Sequence, residues 1–415
     1  MKNFFPYISG ELYCEAVKVA DIARRVGTPA YVYSKGSMRE AFGEFDSAFA
    51  GIDHLICYSL KANSNLSVCR IFLDAGSGID CNSGGELYRA LKASADPHKI
   101  IFTGVGKTEE EIRMVLGLPV MMSKAESLQE LHLINEIAGT MNVKAPIGIR
   151  INPDVDPKTH PYISTGLAEN KFGIDSSQAL EAFELATSLP NLRVVGIDMH
   201  IGSQITEINP IVEACSKLAE LAATLRQRGI PLEHFDIGGG LAASYNGDSH
   251  ASPHDLAAHL LPILKKTGCK ILFEPGRYLT ANAGILVTKV LYTKQNRNKN
   301  FIIVDAAMND LLRPSLYEAF HEIRPVAKKT NETVTADIVG PVCESADFLA
   351  QSRTMQKSER NDLLAVMSAG AYGFVMSSNY NSRRRAAEVI VDHDKFFVAR
   401  ERETLEDLVR GERVI

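Results

Sequence analysis

The sequence has 415 residues, 45% of them apolar and 23% charged, and its 45 Lys and Arg against 50 Asp and Glu give a formal charge of −5. That length exceeds the roughly 150 residues of an ordinary domain, so two domains are expected, and ordinary Gly and Pro usage excludes collagen-like or low-complexity chains. A slightly acidic chain lacks the basic footprint of a nucleic-acid binder, and no apolar run approaches the roughly 20 residues of a membrane span.

At the start of the chain, Pro6 and then Ser9-Gly10-Glu11 interrupt any apolar segment, so no signal peptide is expected. The 7 cysteines, at 14, 57, 69, 81, 215, 269 and 343, form no CxxC pairing. Such a set reads as reduced thiols in a cytoplasmic protein with no disulfide framework and no metal site. Ala30 to Tyr33 is strand-like and is expected to join one domain or the other.

From residue 54 to residue 274, short β-branched or apolar runs alternate with amphipathic stretches. The strand-like runs are His54 to Tyr58, Ser77 to Cys81, Lys99 to Thr103, Pro119 to Met122, Pro146 to Ile151, Val194 to His200, His234 to Ile237 and Lys270 to Glu274. Helical spacing marks Gly85 to Ala93, Glu126 to Ile137, Ser177 to Ser188, Ile211 to Arg228 and Asp255 to Lys266. Eight βα units fit a closed (β/α)8 barrel of the TIM type, and a doubly wound open sheet is the alternative. Beyond residue 280 the runs Ala283 to Tyr292, Asn300 to Asp305, Thr335 to Val339, Leu363 to Met367 and Glu388 to Val398 lack intervening helices, which predicts a β-rich C-terminal domain.

In such a barrel the catalytic groups stand at the C-terminal ends of the strands. Reading just past each strand gives Lys61, Asp80, Gly104, Ser123, Asn152, His200 with Ser203, Gly238-Gly239-Gly240, and Glu274-Pro275-Gly276-Arg277. Singly, each is ordinary. Together they bring an amine, an imidazole, carboxylates, a guanidinium and two glycine turns to one mouth. The glycines, lacking Cβ, let backbone N–H groups approach an anion such as a phosphate. Gly104-Val105-Gly106-Lys107-Thr108 imitates a nucleotide-binding loop, but position 101, where its first glycine must fall, is Ile.

Pyridoxal phosphate needs these parts: a lysine to bond its aldehyde, a glycine-rich phosphate turn, and a carboxylate paired with the pyridine nitrogen. Lys61 is the lysine at a strand mouth with such partners, Glu274 is the natural partner of the ring nitrogen, and His200 can stack on the ring face.

The segments Tyr58-Ser59-Leu60-Lys61-Ala62-Asn63, Ser83-Gly84-Gly85-Glu86-Leu87, His200-Ile201-Gly202-Ser203-Gln204, Asp236-Ile237-Gly238-Gly239-Gly240, Glu274-Pro275-Gly276-Arg277, Gly340-Pro341-Val342-Cys343-Glu344-Ser345 and Ala369-Gly370-Ala371-Tyr372-Gly373 resemble the diaminopimelate decarboxylase family. That family belongs to the barrel-fold pyridoxal phosphate decarboxylases, and the resemblance runs from Gly10 to Val389. It implies a barrel over 36–275 and a β-sandwich or β-barrel domain formed by 1–35 with 276–415. It further implies that Lys61 is the Schiff-base lysine, His200 the ring-stacking residue and Glu274 the pyridinium partner. Ser203, Gly239, Gly240, Gly276, Arg277 and Tyr372 match cofactor-binding positions, and Arg277, Arg313, Tyr317, Glu344 and Tyr372 match substrate-binding positions. Cys343 matches the general acid. In such enzymes Cys343 and Glu344 reach the other subunit's site, which implies a homodimer with shared active sites.

The reaction so implied removes CO2 from the D-configured carbon of meso-diaminopimelate, and Cys343 then protonates that carbon to give L-lysine. An ordinary thiol, with a pKa of about 8.5, is mostly protonated at pH 7 and suits that task. Two departures from the family pattern stand out: Arg383-Arg384-Arg385 before Ala386-Ala387-Glu388, and Cys81-Asn82 after Asp80. The rival readings are a same-fold decarboxylase of ornithine, arginine or a carboxylated polyamine, an amino-acid racemase, and a non-catalytic pyridoxal phosphate binder. The long 152–172 segment, with Pro153, Pro157 and Pro161, is a candidate for a loop that closes over substrate.

Overall fold

The structure is a computed structural model that describes the chain apart from residues 1, 158–164, 168 and 249. It divides into two compact units, Phe42–Ala243 with His250–Tyr278, and Met1–Ala41 with Ser244–Ser249 and Leu279–Ile415. The divisions differ from those expected at 35/36 and 275/276. One cuts the helix Lys35–Ala48, and 244–249 is an excursion of the barrel sequence into the β-rich unit.

In the barrel unit the strands are β1 (His54–Ser59), β2 (Gly78–Cys81), β3 (Ile100–Phe102), β4 (Met122–Ala125), β5 (Ala145–Asn152), β6 (Leu192–Asp198), β7 (His234–Asp236) and β8 (Lys270–Phe273). All pair in parallel in that order and β8 returns to β1, so the sheet closes. The fourth strand lies three residues beyond its expected place at 119–122. Pro119, with no N–H to give a ladder, falls in the turn after the helix Glu109–Leu116.

The barrel axis is filled in layers. Cys57, Ile101, Met122, Val195 and Leu272 form a buried apolar cluster. A Cβ on Gly148 or Gly196 would come within 2.2 or 2.5 Å of the Met122 sulfur, so those strands carry glycine where the thioether fills the axis. Side chains two apart on a strand share a face, so Lys124 follows Met122 inward. Capping hydroxyls start the outer helices: Ser83 accepts the Glu86 N–H, and Thr108 with Glu111 and Ser252 with Asp255 form capping boxes.

In the second unit Ala30–Ser34 lies between Gly284–Asn296, antiparallel, and Ala387–Asp392, parallel. The sheet runs on through Lys299–Val304, Thr333–Val339 and Phe348–Gln356 on one side and Lys395–Arg400 on the other. The single strand expected over 388–398 is a hairpin, turned at His393, whose φ is 57°. Buried Val32, Ile285, Val287, Ala365, Val389 and Val391 pack with Leu12, Val19 and Ile22 of the N-terminal segment into one core. Among the described residues no helix is long and apolar enough to cross a membrane. Of the 152–172 candidate loop, 158–164 and 168 lie outside the described residues.

Candidate active site

Lys61 lies in the short turn Leu60–Ala62 directly after β1, and its Nζ is 3.8 Å from Asp80 Oδ2. Asp80 is fully buried at the end of β2 and accepts from Ser59 Oγ (2.5 Å) and Thr103 Oγ1 (2.7 Å). Burial alone would raise its pKa, but Lys61, Lys124 and the two hydroxyls outweigh that and hold it below the usual carboxylate value. Asp80 thus remains an anion beside the Lys61 amine. Asn82, one of the departures, donates to the same Asp80 oxygen at 3.3 Å, and Cys81 is buried.

After β7, Gly238 and Gly240 have φ of 68° and 113°, conformations that favour glycine. The N–H groups of this turn are not equivalent. Gly238 donates to Asp236 Oδ1 at 2.8 Å and Gly239 donates to His200 Nδ1 at 3.2 Å. The Gly240 N–H meets no acceptor among the described residues, which leaves it for an anion. Gly239 is glycine for a different reason than expected: a Cβ there would stand 2.3 Å from the Glu274 carbonyl oxygen. Its N–H fixes His200 as the Nε2–H tautomer. Burial, with Lys61, Arg150 and Lys124 nearby, pushes the His200 pKa well below its usual value, so the imidazole is neutral.

Glu274, just past β8, is buried, and its pKa is raised far above the usual carboxylate range by burial and then by Asp236 and Asp80, against the pull of Lys124. Gly276 packs where a Cβ would lie 2.8 Å from Ala62 Cβ, against the Lys61 turn. Buried Arg277 donates from Nε to Ser203 Oγ at 3.0 Å.

The sequence reading missed Lys124. Its side chain is wholly buried, and Nζ lies 2.7 Å from Asp198 Oδ1, 2.8 Å from Asp236 Oδ2 and 2.5 Å from Glu274 Oε1. Lys61 is therefore not the only barrel lysine placed among acids. The signal was the inward register of Met122, hidden when the strand was placed three residues early. Lys107, the lysine of the nucleotide-loop imitation, bonds the carbonyls of Gly104 and Lys124 and the Glu130 carboxylate, and its buried amine locks the loop.

In the β-rich unit, buried Arg313 opens the short helix Arg313–Tyr317. Its Nε donates to His321 Nε2 at 3.3 Å, and His321 Nδ1 bonds the Met367 carbonyl at 2.9 Å. The guanidinium lies 5.0 Å from the Tyr245 ring centroid and 5.9 Å from that of Tyr317. His321 and Tyr245 are supports that sequence patterns did not expose. Tyr372 holds a left-handed backbone, φ 55°, between Gly370 and Gly373, whose Cβ atoms would strike the carbonyls of Thr280 (1.9 Å) and Ala369 (2.6 Å).

Cys343 is the one exposed cysteine of the seven. Its tip is built around Asp347, which accepts the N–H groups of Val342 and Met308, both at 2.7 Å. Asn381 Oδ1 accepts the Cys343 N–H at 2.7 Å, and the Tyr380 hydroxyl reaches Glu344 Oε2 at 3.2 Å. The basic run is bound locally: Arg383 to the Asp305 carbonyl (2.7 Å) and Arg385 to Glu403 (2.6 Å).

Residues 35–281 match the family described as pyridoxal-dependent decarboxylase, pyridoxal binding domain. The whole chain is 50% identical to the diaminopimelate decarboxylase of Vibrio cholerae, covering 99% of it. The structure of diaminopimelate decarboxylase from Helicobacter pylori complexed with L-lysine superposes with a TM-score of 0.92 at 45% identity, covering 95% of this chain and 98% of that one. The L-lysine co-complex of the M. jannaschii enzyme gives 0.95 at 36% identity, covering 100% and 98%. The chain belongs to the diaminopimelate decarboxylase family.

Pyridoxal phosphate is the cofactor of this pyridoxal-dependent family, and the barrel mouth fits it. Five buried or half-buried carboxylates, Asp80, Glu126, Asp198, Asp236 and Glu274, face three cations, Lys61, Lys124 and Arg150. A protonated pyridine relieves that shortage of positive charge, and the Gly240 N–H meets the need of a phosphate. The oxygens of Asp198, Asp236 and Glu274 lie within 4.8 Å of one another, a spacing open to a metal ion, but the Lys124 ammonium already stands within 2.8 Å of all three.

Proposed function

We propose that this chain decarboxylates meso-2,6-diaminopimelate at its D-centre, giving CO2 and L-lysine in the last step of lysine biosynthesis, in the cytoplasm. The observation that carries the reading is a full-length relationship at 50% identity to a diaminopimelate decarboxylase, joined to a barrel mouth that unites Lys61, His200 and Glu274. Bound pyridoxal phosphate supplies the electron sink for the pair of electrons left when CO2 departs.

Lys61 would hold the cofactor through its ε-amine, beside the Asp80 anion. His200, neutral and fixed by the Gly239 N–H, would cover the ring face without adding a charge. Glu274 would hold the cofactor's ring nitrogen. Ser203, Gly239, Gly240, Gly276 and Tyr372 would form the phosphate side, and Arg277 would also bind the cofactor; Gly240 offers an N–H and Gly239 offers room. Arg277, Arg313, Tyr317, Tyr372 and Glu344 receive the substrate's distal carboxylate and ammonium. Cys343 Sγ–H gives its proton to the carbon that lost CO2. Cys343 and Glu344 serve the partner subunit's site in a homodimer, a reading supported by the exposure of Cys343 on a loop whose backbone is fixed.

Purified protein loaded with pyridoxal phosphate should release CO2 and lysine from meso-diaminopimelate and turn over ornithine and arginine poorly. Ornithine turnover equal to or faster than that of diaminopimelate would replace the substrate assignment. Lys61→Ala should abolish the absorbance of lysine-bound cofactor, and Cys343→Ala should slow turnover with that band intact. Mixing the two inactive variants should restore activity through hybrid dimers; no restoration would argue against the shared site.

A further inference from the structure

Lys124 carries an ammonium that no step of the proposed reaction uses. An ion so deeply buried is costly unless its geometry is well satisfied. Here Nζ donates to Asp198 Oδ1 at 2.7 Å and Glu274 Oε1 at 2.5 Å, and Asp236 Oδ2 stands 2.8 Å away as an ion-pair partner outside hydrogen-bond geometry. A compact ammonium fits as a point charge among carboxylates from three strands, and the planar fork of arginine does not.

Each carboxylate leads to the cofactor site. Glu274 stands against the ring nitrogen in the proposed function. Asp236 uses its other oxygen to take the Gly238 N–H at 2.8 Å, at the start of the phosphate-side turn. Asp198, at the end of β6, lies two residues before His200 and 3.9 Å from Arg150 Nε. We propose that Lys124 is a positioning residue for the cofactor: it fixes Glu274 through one oxygen, leaving the other for the pyridine nitrogen, and holds the glycine turn in register through Asp236. The inference rests on the pyridoxal phosphate reading of the barrel mouth and not on the identity of the amino-acid substrate.

Electrostatics support the same role. Burial, Asp236, Asp80 and Asp198 all favour a protonated Glu274, and Lys124 is the neighbour that opposes them. Without that ammonium none of Asp236, Asp80 and Asp198 opposes the upward shift, and the Glu274 carboxyl holds a proton still more firmly. Asp80, Arg150 and Lys61 complete the charged surroundings; Asp80, which Lys124 helps to hold ionised, loses that support in the same substitution and keeps that of Lys61 and its two hydroxyls.

The test compares Lys124→Met and Lys124→Gln with wild type, stripping the cofactor from purified protein and titrating pyridoxal phosphate back. Lys107→Met, the loss of a second buried barrel lysine whose amine bonds the Lys124 backbone carbonyl but none of Asp198, Asp236 and Glu274, controls for the loss of a buried lysine as such. Both Lys124 variants should bind pyridoxal phosphate at least tenfold more weakly and show an altered pH dependence of the bound-cofactor absorbance. Their kcat should fall at least tenfold while KM for diaminopimelate stays within threefold. Lys107→Met should lower the melting temperature and leave cofactor affinity within twofold. The glutamine variant, which keeps two N–H donors, guards against loss of the methionine variant in folding. Cofactor affinity and absorbance matching wild type in either folded variant would overturn the proposal, as would failure of both to fold while Lys107→Met folds, since Lys124 would then serve the core alone. Wild-type protein that takes up no pyridoxal phosphate would instead refute the cofactor reading itself.

Discussion

Asn381 Oδ1 accepts the backbone N–H of Cys343 at 2.7 Å, and does so from a left-handed backbone with φ of 54°. The Tyr380 hydroxyl on Glu344 and the two N–H groups on Asp347 complete a tip whose side chains are exposed and whose main chain is held. A proton donor displaced by about 1 Å can cost on the order of 100-fold in rate. Asn381→Ala loses the acceptor and places Ala in a conformation that suits Asn better. It should lower kcat by about tenfold or more with the lysine-bound cofactor band unchanged, and Asn381→Asp, which keeps an acceptor oxygen, should recover most of the loss. Steady-state kinetics with absorbance spectra decide it; an unchanged kcat in the alanine variant would mean the tip needs no anchor.

Gly239 joins two parts of the site, because its N–H orients His200 and its missing Cβ lets the turn rest on the Glu274 carbonyl. A methyl group 2.3 Å from that oxygen forces the turn away from β8. Gly239→Ala should therefore destabilise the protein by about 1 to 3 kcal/mol, the usual range for overpacking. It should also weaken pyridoxal phosphate binding at least tenfold. Thermal unfolding and cofactor titration measure the two effects, and normal affinity would show that the turn tolerates displacement.

Arg313 is held by His321 and by the faces of Tyr245 and Tyr317. A substrate carboxylate left without its buried cation loses roughly 3 to 5 kcal/mol, or about 100- to 1000-fold or more in rate. Arg313→Met should lower kcat/KM for diaminopimelate by that factor while barely changing the slow turnover of ornithine, which has no distal carboxylate. His321→Ala should give a smaller loss of the same kind by loosening the guanidinium. Equal effects on both substrates would remove Arg313 from distal recognition.

The closed barrel was legible in the sequence because its strands are apolar on both faces and separated by helical periods. Lys61 and Glu274 were legible because the strand-end rule needs only an approximate boundary. Lys124 was not, since a three-residue error at Pro119 turned an inward strand residue into a turn residue. The hairpin at His393 was lost in a continuous β-branched run with no glycine to mark it. Supports such as His321, Tyr245 and Asn381 act through contacts with residues distant in sequence, so no local pattern reveals them. The glycine turn was read as a uniform anion cradle, yet its N–H groups have separate partners that depend on His200 and Asp236 being at hand.

Asp310 carries the last prediction. It is buried, Oδ2 accepts the Ala307 N–H at 3.0 Å, and Oδ1 has no hydrogen-bond partner among the described residues. Burial, only partly offset by that N–H and by Arg383 and Arg402, pushes its pKa up to about 7. The folded protein then keeps a proton that the unfolded chain, with an ordinary pKa of about 3.9, has already released. Stability from this group is complete below pH ~4 and is lost as pH rises to about 7, because across that window the unfolded state binds fewer protons. Asp310→Asn keeps the acceptor for Ala307 and removes the titration. Between pH 5.5 and 7.5 wild type should lose about 2 kcal/mol more than the variant, as 1.4 kcal/mol per pKa unit requires. Denaturant unfolding of the holoenzyme at the two pH values measures the difference, and parallel behaviour of the two proteins would mean that Asp310 is already ionised in the folded state.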